Sequence, residues 1–144
     1  MIQIICGEKG KGKTKILLNN VNDAVKNANG DIVYLDKSNK HMYELSNKIR
    51  LINCKDYLIS SPGEFTGFIS GIISQDHDLE KIFLDSVLNI ACVDRDGVDK
   101  AALEQVLNKL RNISEVFHVD MELSISLNKE DLPESCYNDI LAAL

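Results

Sequence analysis

Gly7-Glu8-Lys9-Gly10-Lys11-Gly12-Lys13-Thr14 satisfies the pattern G-x-x-x-x-G-K-[ST] at every fixed position and directly follows the apolar run Ile2 to Cys6. The residues after it, Lys15 to Ala28, read as a helix. Strand, glycine-rich turn and helix in this order form a phosphate-binding loop, because the strand delivers the chain into a turn whose N–H groups point at an anion. The positive end of the following helix dipole adds to the attraction. Glycines at 7, 10 and 12 permit a left-handed backbone and close approach to phosphate oxygens. Lys13 is expected to reach the β- and γ-phosphates, and the Thr14 hydroxyl to hold a magnesium ion. The candidate binding residues are therefore Gly7, Lys9, Gly10, Lys11, Gly12, Lys13, Thr14 and Lys15.

Working outward, the first helix places Leu17, Val21, Ala24, Val25 and Ala28 on one stripe, with Asn19, Asn20, Asn22, Asp23 and Lys26 opposite and Gly30 as a stop. Ile32 to Leu35, ending at Asp36, suits a strand buried in a parallel sheet whose carboxylate emerges at the edge where ligands bind. Ser38 caps a short helix on which Met42, Leu45 and Ile49 recur, and Arg50 to Asn53 and Tyr57 to Ser60 are extended candidates. Ser61-Pro62-Gly63-Glu64 is a capping box with proline at the first helical position, and Phe65, Phe68, Ile69, Ile72 and Ile73 form the buried stripe behind it. Gly63, Gly67 and Gly71, four residues apart, are expected to let that helix pack closely.

Lys81-Ile82-Phe83-Leu84-Asp85 reads as a central strand that ends in a carboxylate. Such a strand end is the usual partner of a phosphate-binding loop, since its Asp holds a magnesium-bound water beside the loop; Thr14 and Asp85 are the candidate metal residues. Asp94-Arg95-Asp96-Gly97 lies in a loop, and Asp96 or Asp99 caps a helix from about Asp99 to Phe117. A strand follows from about Asp120 to Ser126, in preference to one long alternating strand from Phe117 to Leu127. Its Glu122, Ser124 and Ser126 predict a place towards a sheet edge, or a Ser126 that faces the nucleotide. Pro133 opens a final helix to about Ala143. The repeating βαβ pattern predicts an α/β fold of three layers, with a mostly parallel sheet flanked by helices, as one domain over residues 1 to 144.

Composition narrows the function classes. No apolar run approaches the ~18 residues a membrane helix needs, and no basic segment precedes a long apolar one, so a cytoplasmic protein is expected. The four cysteines are far apart and form no C-x-x-C pair, which predicts buried thiols in place of a zinc site. A net charge of -6 disfavours binding to nucleic acid. Lys9, Lys11, Lys13 and Lys15 do cluster, but inside the loop, where a nucleoside triphosphate accounts for them.

The series Ile32-Val33-Tyr34-Leu35-Asp36, Tyr57-Leu58-Ile59-Ser60-Ser61-Pro62 and Ile82-Phe83-Leu84-Asp85-Ser86-Val87, taken with the loop, resembles the RecA-like core of P-loop NTPases over about residues 1 to 126. The whole chain also resembles short bacterial P-loop proteins labelled twitching-motility PilT-like. The resemblance implies binding of ATP with Mg2+; the candidate catalytic residues are Lys13 and Asp85, with Asp36 at the neighbouring strand end as a further carboxylate. Two departures qualify what it implies. Ser38 stands where the recombinase branch has a water-activating glutamate, and Asp85 is followed by Ser86 where many transporter ATPases have glutamate. Hydrolysis is expected to be weak, or to depend on Asp36, Glu44 or another subunit. Motor function is not implied, because His41, His77 and His118 are scattered and form no histidine-rich box.

Two other functions compete. A small-molecule kinase would use Asp36 to hold an acceptor hydroxyl, but no lid with paired arginines accompanies Arg50, Arg95 and Arg111. A non-catalytic assembly or switch subunit, in a homo-oligomer or with a protein partner, would suit the missing glutamate. No Asn-Lys-x-Asp guanine signature is present, since Asn39-Lys40-His41-Met42 lacks the Asp.

Overall fold

A computed structural model describes all residues from Met1 to Leu144. Six strands form one all-parallel sheet: β1 (Ile2–Cys6), β2 (Asp31–Asp36), β3 (Ile49–Asn53), β4 (Leu79–Leu84), β5 (Asp120–Ile125) and β6 (Ile140–Ala143). Their spatial order is β3-β2-β4-β5-β1-β6. Four α-helices connect them: α1 (Lys13–Asn27), α2 (Pro62–Gln75), the single turn α3 (Val87–Ile90) and α4 (Lys100–Phe117).

Alternation along the strands distributes side chains to two faces. Val33, Leu35, Ile82, Leu84, Met121 and Leu123 join Phe65 and Ile69 of α2 and Leu103 and Leu107 of α4 in the larger apolar core. Ile5, Ile32, Tyr34 and Phe83 face the other way and meet Leu17, Leu18 and Val21 of α1. Helices therefore cover both faces of a sheet that is apolar on both, the condition under which parallel strands read as continuous hydrophobic runs.

The helix boundaries follow the capping chemistry. Ser61 accepts from the Glu64 amide at 3.1 Å, while the Glu64 carboxylate reaches back to the Ser60 amide at 2.8 Å, one residue earlier than a simple capping box. Asp99 caps α4 through the Ala102 amide at 3.0 Å. That helix runs unbroken to His118, whose left-handed backbone stops it. Gly30 is fixed by close approach, because a Cβ there would collide with the Asp78 carbonyl where Asp31 begins pairing with the β4 segment.

Several expectations are corrected. Residues 133–143 form no α-helix: Glu134–Asp139 is a 3-10 turn, and Ile140–Ala143 is the edge strand β6, which pairs with β1. Proline there opens the tighter turn, and the Leu144 amide completes the pairing with the Cys6 carbonyl at 2.9 Å. β5 lies between β4 and β1 instead of at an edge. Its polar face is tolerated because each group has a partner, Glu122 accepting from Asn20 at 2.7 Å and pairing with Lys81 at 3.5 Å. Met42, Leu45 and Ile49 share no helix: Met42–Glu44 is one 3-10 turn and Ile49 begins β3. Tyr57 to Ser60 form no strand, since Cys54–Tyr57 is a 3-10 turn closed by a left-handed Leu58. Gly63, Gly67 and Gly71 do not pack; they are exposed, and a Cβ at any of them would meet nothing within 4 Å.

All four cysteines are free, and burial pushes the Cys54 thiol up to about 12. No helix is long and apolar enough to cross a membrane.

Candidate functional site

The loop between β1 and α1 sits at the C-terminal end of the strands, and its shape comes from its glycines. Gly7, Gly10 and Gly12 all have positive φ, at 149°, 82° and 96°. Gly12 precedes α1 in the left-handed region and offers no side chain to cap it. The loop base is fixed by the Gly7 amide on the Leu127 carbonyl at 2.8 Å and by Asn128 on the Glu8 carboxylate at 3.0 Å. From Glu8 to Lys15 the backbone amides have no hydrogen-bond acceptor within the chain. Consecutive free N–H groups at a helix start make an anion-binding concavity.

Lys13 is buried at 7 % exposure, and its Nζ donates to the Glu8 carbonyl at 2.8 Å. Burial lowers its pKa, and the charge of Asp85 opposes that shift. An anion beside Lys13 would favour its charged form.

Asp85 follows the last residue of β4, and its amide is held by the Leu35 carbonyl at 2.8 Å. Its carboxylate is 2 % exposed and closely partnered. Ser124 Oγ donates to Oδ1 at 2.6 Å, Thr14 Oγ1 to the same oxygen at 3.3 Å, and Tyr34 OH to Oδ2 at 2.9 Å. Ser124 also accepts from the Ser86 amide at 2.8 Å. Burial and the Asp85 charge both raise the Tyr34 phenol pKa, so Tyr34 remains a donor. Thr14 and Asp85, named together from sequence, are thus in contact across the intervening strand β5.

A cleft of about 700 Å3 opens over these groups, within the range of small-molecule sites. Of the residues predicted to bind, Lys9, Gly10, Gly12, Lys13, Thr14 and Asp85 line it, and so does Ser126. Gly7, Lys11, Lys15 and Asp36 do not. Gly7 is buried below the loop, while Lys11 and Lys15 are exposed outside the cleft.

No model of a known protein family matches this chain, and neither does any curated protein. Its chemistry has to be read from its own geometry.

Sequence reading named Asp36 at the end of β2 but missed the groups contributed by the turn after it. Lys37, Lys40 and His41 line the wall opposite the loop, and Asp94 and Gly97 form part of the remaining side. Asp36 lies behind that wall at 2 % exposure. Its Oδ1 accepts from the Lys37 amide at 2.7 Å, whereas its Oδ2 is buried with no hydrogen-bond partner. Burial first, and Asp85 second, raise its pKa; the Lys37 amide, His41 and the Lys37 charge oppose the rise. The only signal in the sequence was a carboxylate at the end of an apolar run, which places Asp36 at the sheet edge without revealing what stands next to it. Ser38 does not line the cleft; its hydroxyl accepts from the Lys40 amide at 3.2 Å and serves its own turn. Arg95 forms no ion pair with Asp94 or Asp96.

Proposed function

We propose that this chain is a P-loop nucleoside-triphosphate-binding protein that takes ATP with Mg2+ and has weak or partner-dependent ATPase activity. The observation that carries the reading is that the loop whose amides from Glu8 to Lys15 are unclaimed borders the same cleft as the buried Lys13 ammonium and the Thr14–Asp85 contact at 3.3 Å. Triphosphate oxygens would accept from the amides and from Lys13, replacing the Glu8 carbonyl as its partner.

The donor set fits magnesium, a hard cation that takes oxygen ligands and keeps several waters. Thr14 Oγ1 and Asp85 Oδ1 are the residues that would hold it, the second through water. Bound there, it supplies charge neutralisation across the phosphates. Ser124 and Tyr34 keep the Asp85 carboxylate oriented while its ligands exchange.

Water activation is the weak part of the site. Asp85 and Asp94 are the only carboxylates lining the cleft, Ser38 is turned to its own backbone, and Asp36 lies behind the wall. Positioning of the attacking water is a large share of what a protein contributes to phosphoryl transfer, so binding is expected to exceed turnover. The buried position of Asp36 also disfavours its use as the acceptor-hydroxyl base of a small-molecule kinase.

Calorimetric titration with Mg-ATP tests the reading. Saturable binding is expected, with Lys13→Ala weakening it by at least about 100-fold, ~2.7 kcal/mol. Absence of binding by either ATP or GTP in magnesium would sink it.

A further inference from the structure

Asp36, His41 and Asp85 are distant in sequence, yet they offer ligand atoms within 4.8 Å of one another. Parallel pairing of β2 with β4 brings the two strand ends together, and the turn after β2 returns His41 over them. Neither carboxylate has an ion-pair partner. Two buried carboxylates facing each other without an ion-pair partner are costly, and a protein relieves that cost by protonating one, by pairing them or by binding a metal.

We propose that these three side chains form a second cation site, separate from the Thr14 position, that takes a first-row transition metal such as Zn2+ or Co2+ and does so without nucleotide. The independent observation is Asp36 Oδ2, which is fully buried, unpartnered and part of a side chain only 2 % exposed. Every candidate ligand is also oriented by another group, as metal ligands usually are. The Lys37 amide holds Asp36 Oδ1, Glu44 holds the His41 ring at Nδ1, and Tyr34 and Ser124 hold Asp85. With Nδ1 taken by Glu44, the ring's lone pair is left at Nε2. Lone-pair accounting at Asp85 separates the two cations: Oδ1 already accepts from Ser124 and Thr14, whereas Oδ2 accepts only from Tyr34 and keeps one free site.

The imidazole decides the metal class. Carboxylates alone would suit magnesium or calcium, whereas one histidine with two carboxylates favours zinc, cobalt or a related ion. Metal bonds of about 2.0–2.2 Å require ligand atoms about 3–3.5 Å apart, so the group must contract slightly on binding. His41, on a turn and with its side chain 22 % exposed, is the member able to move, and it faces the cleft through which an ion would enter.

The test uses the nucleotide-free full-length chain titrated with Co2+ after treatment with a chelator. A visible d–d absorption saturating at one equivalent is expected, displaced by Zn2+ and indifferent to equimolar Mg2+. His41→Gln should weaken Co2+ binding at least tenfold, whereas His77→Gln and His118→Gln should leave it unchanged. In the wild-type chain, one of the three histidine ring resonances should broaden selectively, a readout that needs no variant to fold. Absorption that survives His41→Gln, displacement by equimolar Mg2+, or no saturable cobalt signal would each overturn the proposal. Because no nucleotide is present, failure here leaves the Mg-ATP titration to be decided separately, and the reverse also holds.

Discussion

The two faces of the sheet differ in kind. Beneath α2 and α4 lies a dry core of 29 buried apolar residues, whereas the α1 face has a cluster of only 8. On the α1 side the apolar packing is interleaved with Tyr34, Glu122, Ser124 and Asp85, tied into hydrogen bonds to Asn20, Lys81 and Thr14. The same six strands therefore serve two purposes. One face contributes stability by burying area, at about 1.5–3 kcal/mol for each large side chain. The other gives up some of that burial to hold polar groups at the strand ends, where every unpaired atom is costly.

The largest expected effect separates the faces directly. Phe65→Ala, in the dry core at 0 % exposure, should cost about 3–5 kcal/mol in urea denaturation. The folded remainder should keep its nucleotide affinity within about twofold, because the site lies on other elements. A large loss of affinity in that variant would break the division between the faces.

Tyr34→Phe probes the polar side. It removes only the hydroxyl that donates to Asp85 Oδ2 at 2.9 Å, and the expected cost is about 1.5–3 kcal/mol. A cost below about 0.5 kcal/mol would mean that this network holds geometry without contributing stability.

A pH experiment sharpens the contrast further. The folded chain holds the Asp36 proton to a higher pH than the unfolded chain does, because burial and Asp85 disfavour the carboxylate. In the window above the unfolded value of about 3.9, the native state binds more protons, so this residue's contribution to stability falls as pH rises. Asp36→Asn removes that penalty. Its urea midpoint relative to wild type, measured in chelator, should increase between pH 4 and pH 7, and a flat difference would contradict the assignment.

The smallest effect comes from the outer surface of the helical layer. Gly67→Ala, exposed and with nothing near the added methyl, should stabilise α2 by about 0.5–1 kcal/mol. Destabilisation there would show that the glycine face contacts something after all.

The parts of the fold legible in sequence were those decided locally. β1, β2 and β4 each carry a short, mainly apolar stretch (residues 4–6, 32–35 and 82–84) between polar breaks, and the caps at Ser61 and Asp99 mark α2 and α4. β6 was illegible because Ile140 to Ala143 is short, half exposed and composed of residues equally at home in a helix; only pairing with β1 makes it a strand. The same limit applied to β5, whose polar face suggested an edge until Asn20, Lys81 and Asp85 appeared as its partners. Within the site, Gly7 to Thr14 and Asp85 were readable because a spacing pattern and a strand end encode them. His41, Tyr34 and Ser124 were not, since each enters through contacts made only when β2, β4 and β5 become neighbours.

Interposing β5 between β1 and β4 has a steric consequence. Adjacent strands stand about 4.8 Å apart, so the strand leading into the glycine-rich loop and the strand ending at Asp85 are separated by roughly twice that distance. Whatever side chain β5 presents at that level is the spacer across the gap. Ser124 is small enough to leave Thr14 and Asp85 in reach of each other, and polar enough to join them. The width of the site is thus set from beneath by one hydroxymethyl group; a bulkier residue at 124 would wedge the two walls apart and at the same time take from Asp85 the hydroxyl that holds it.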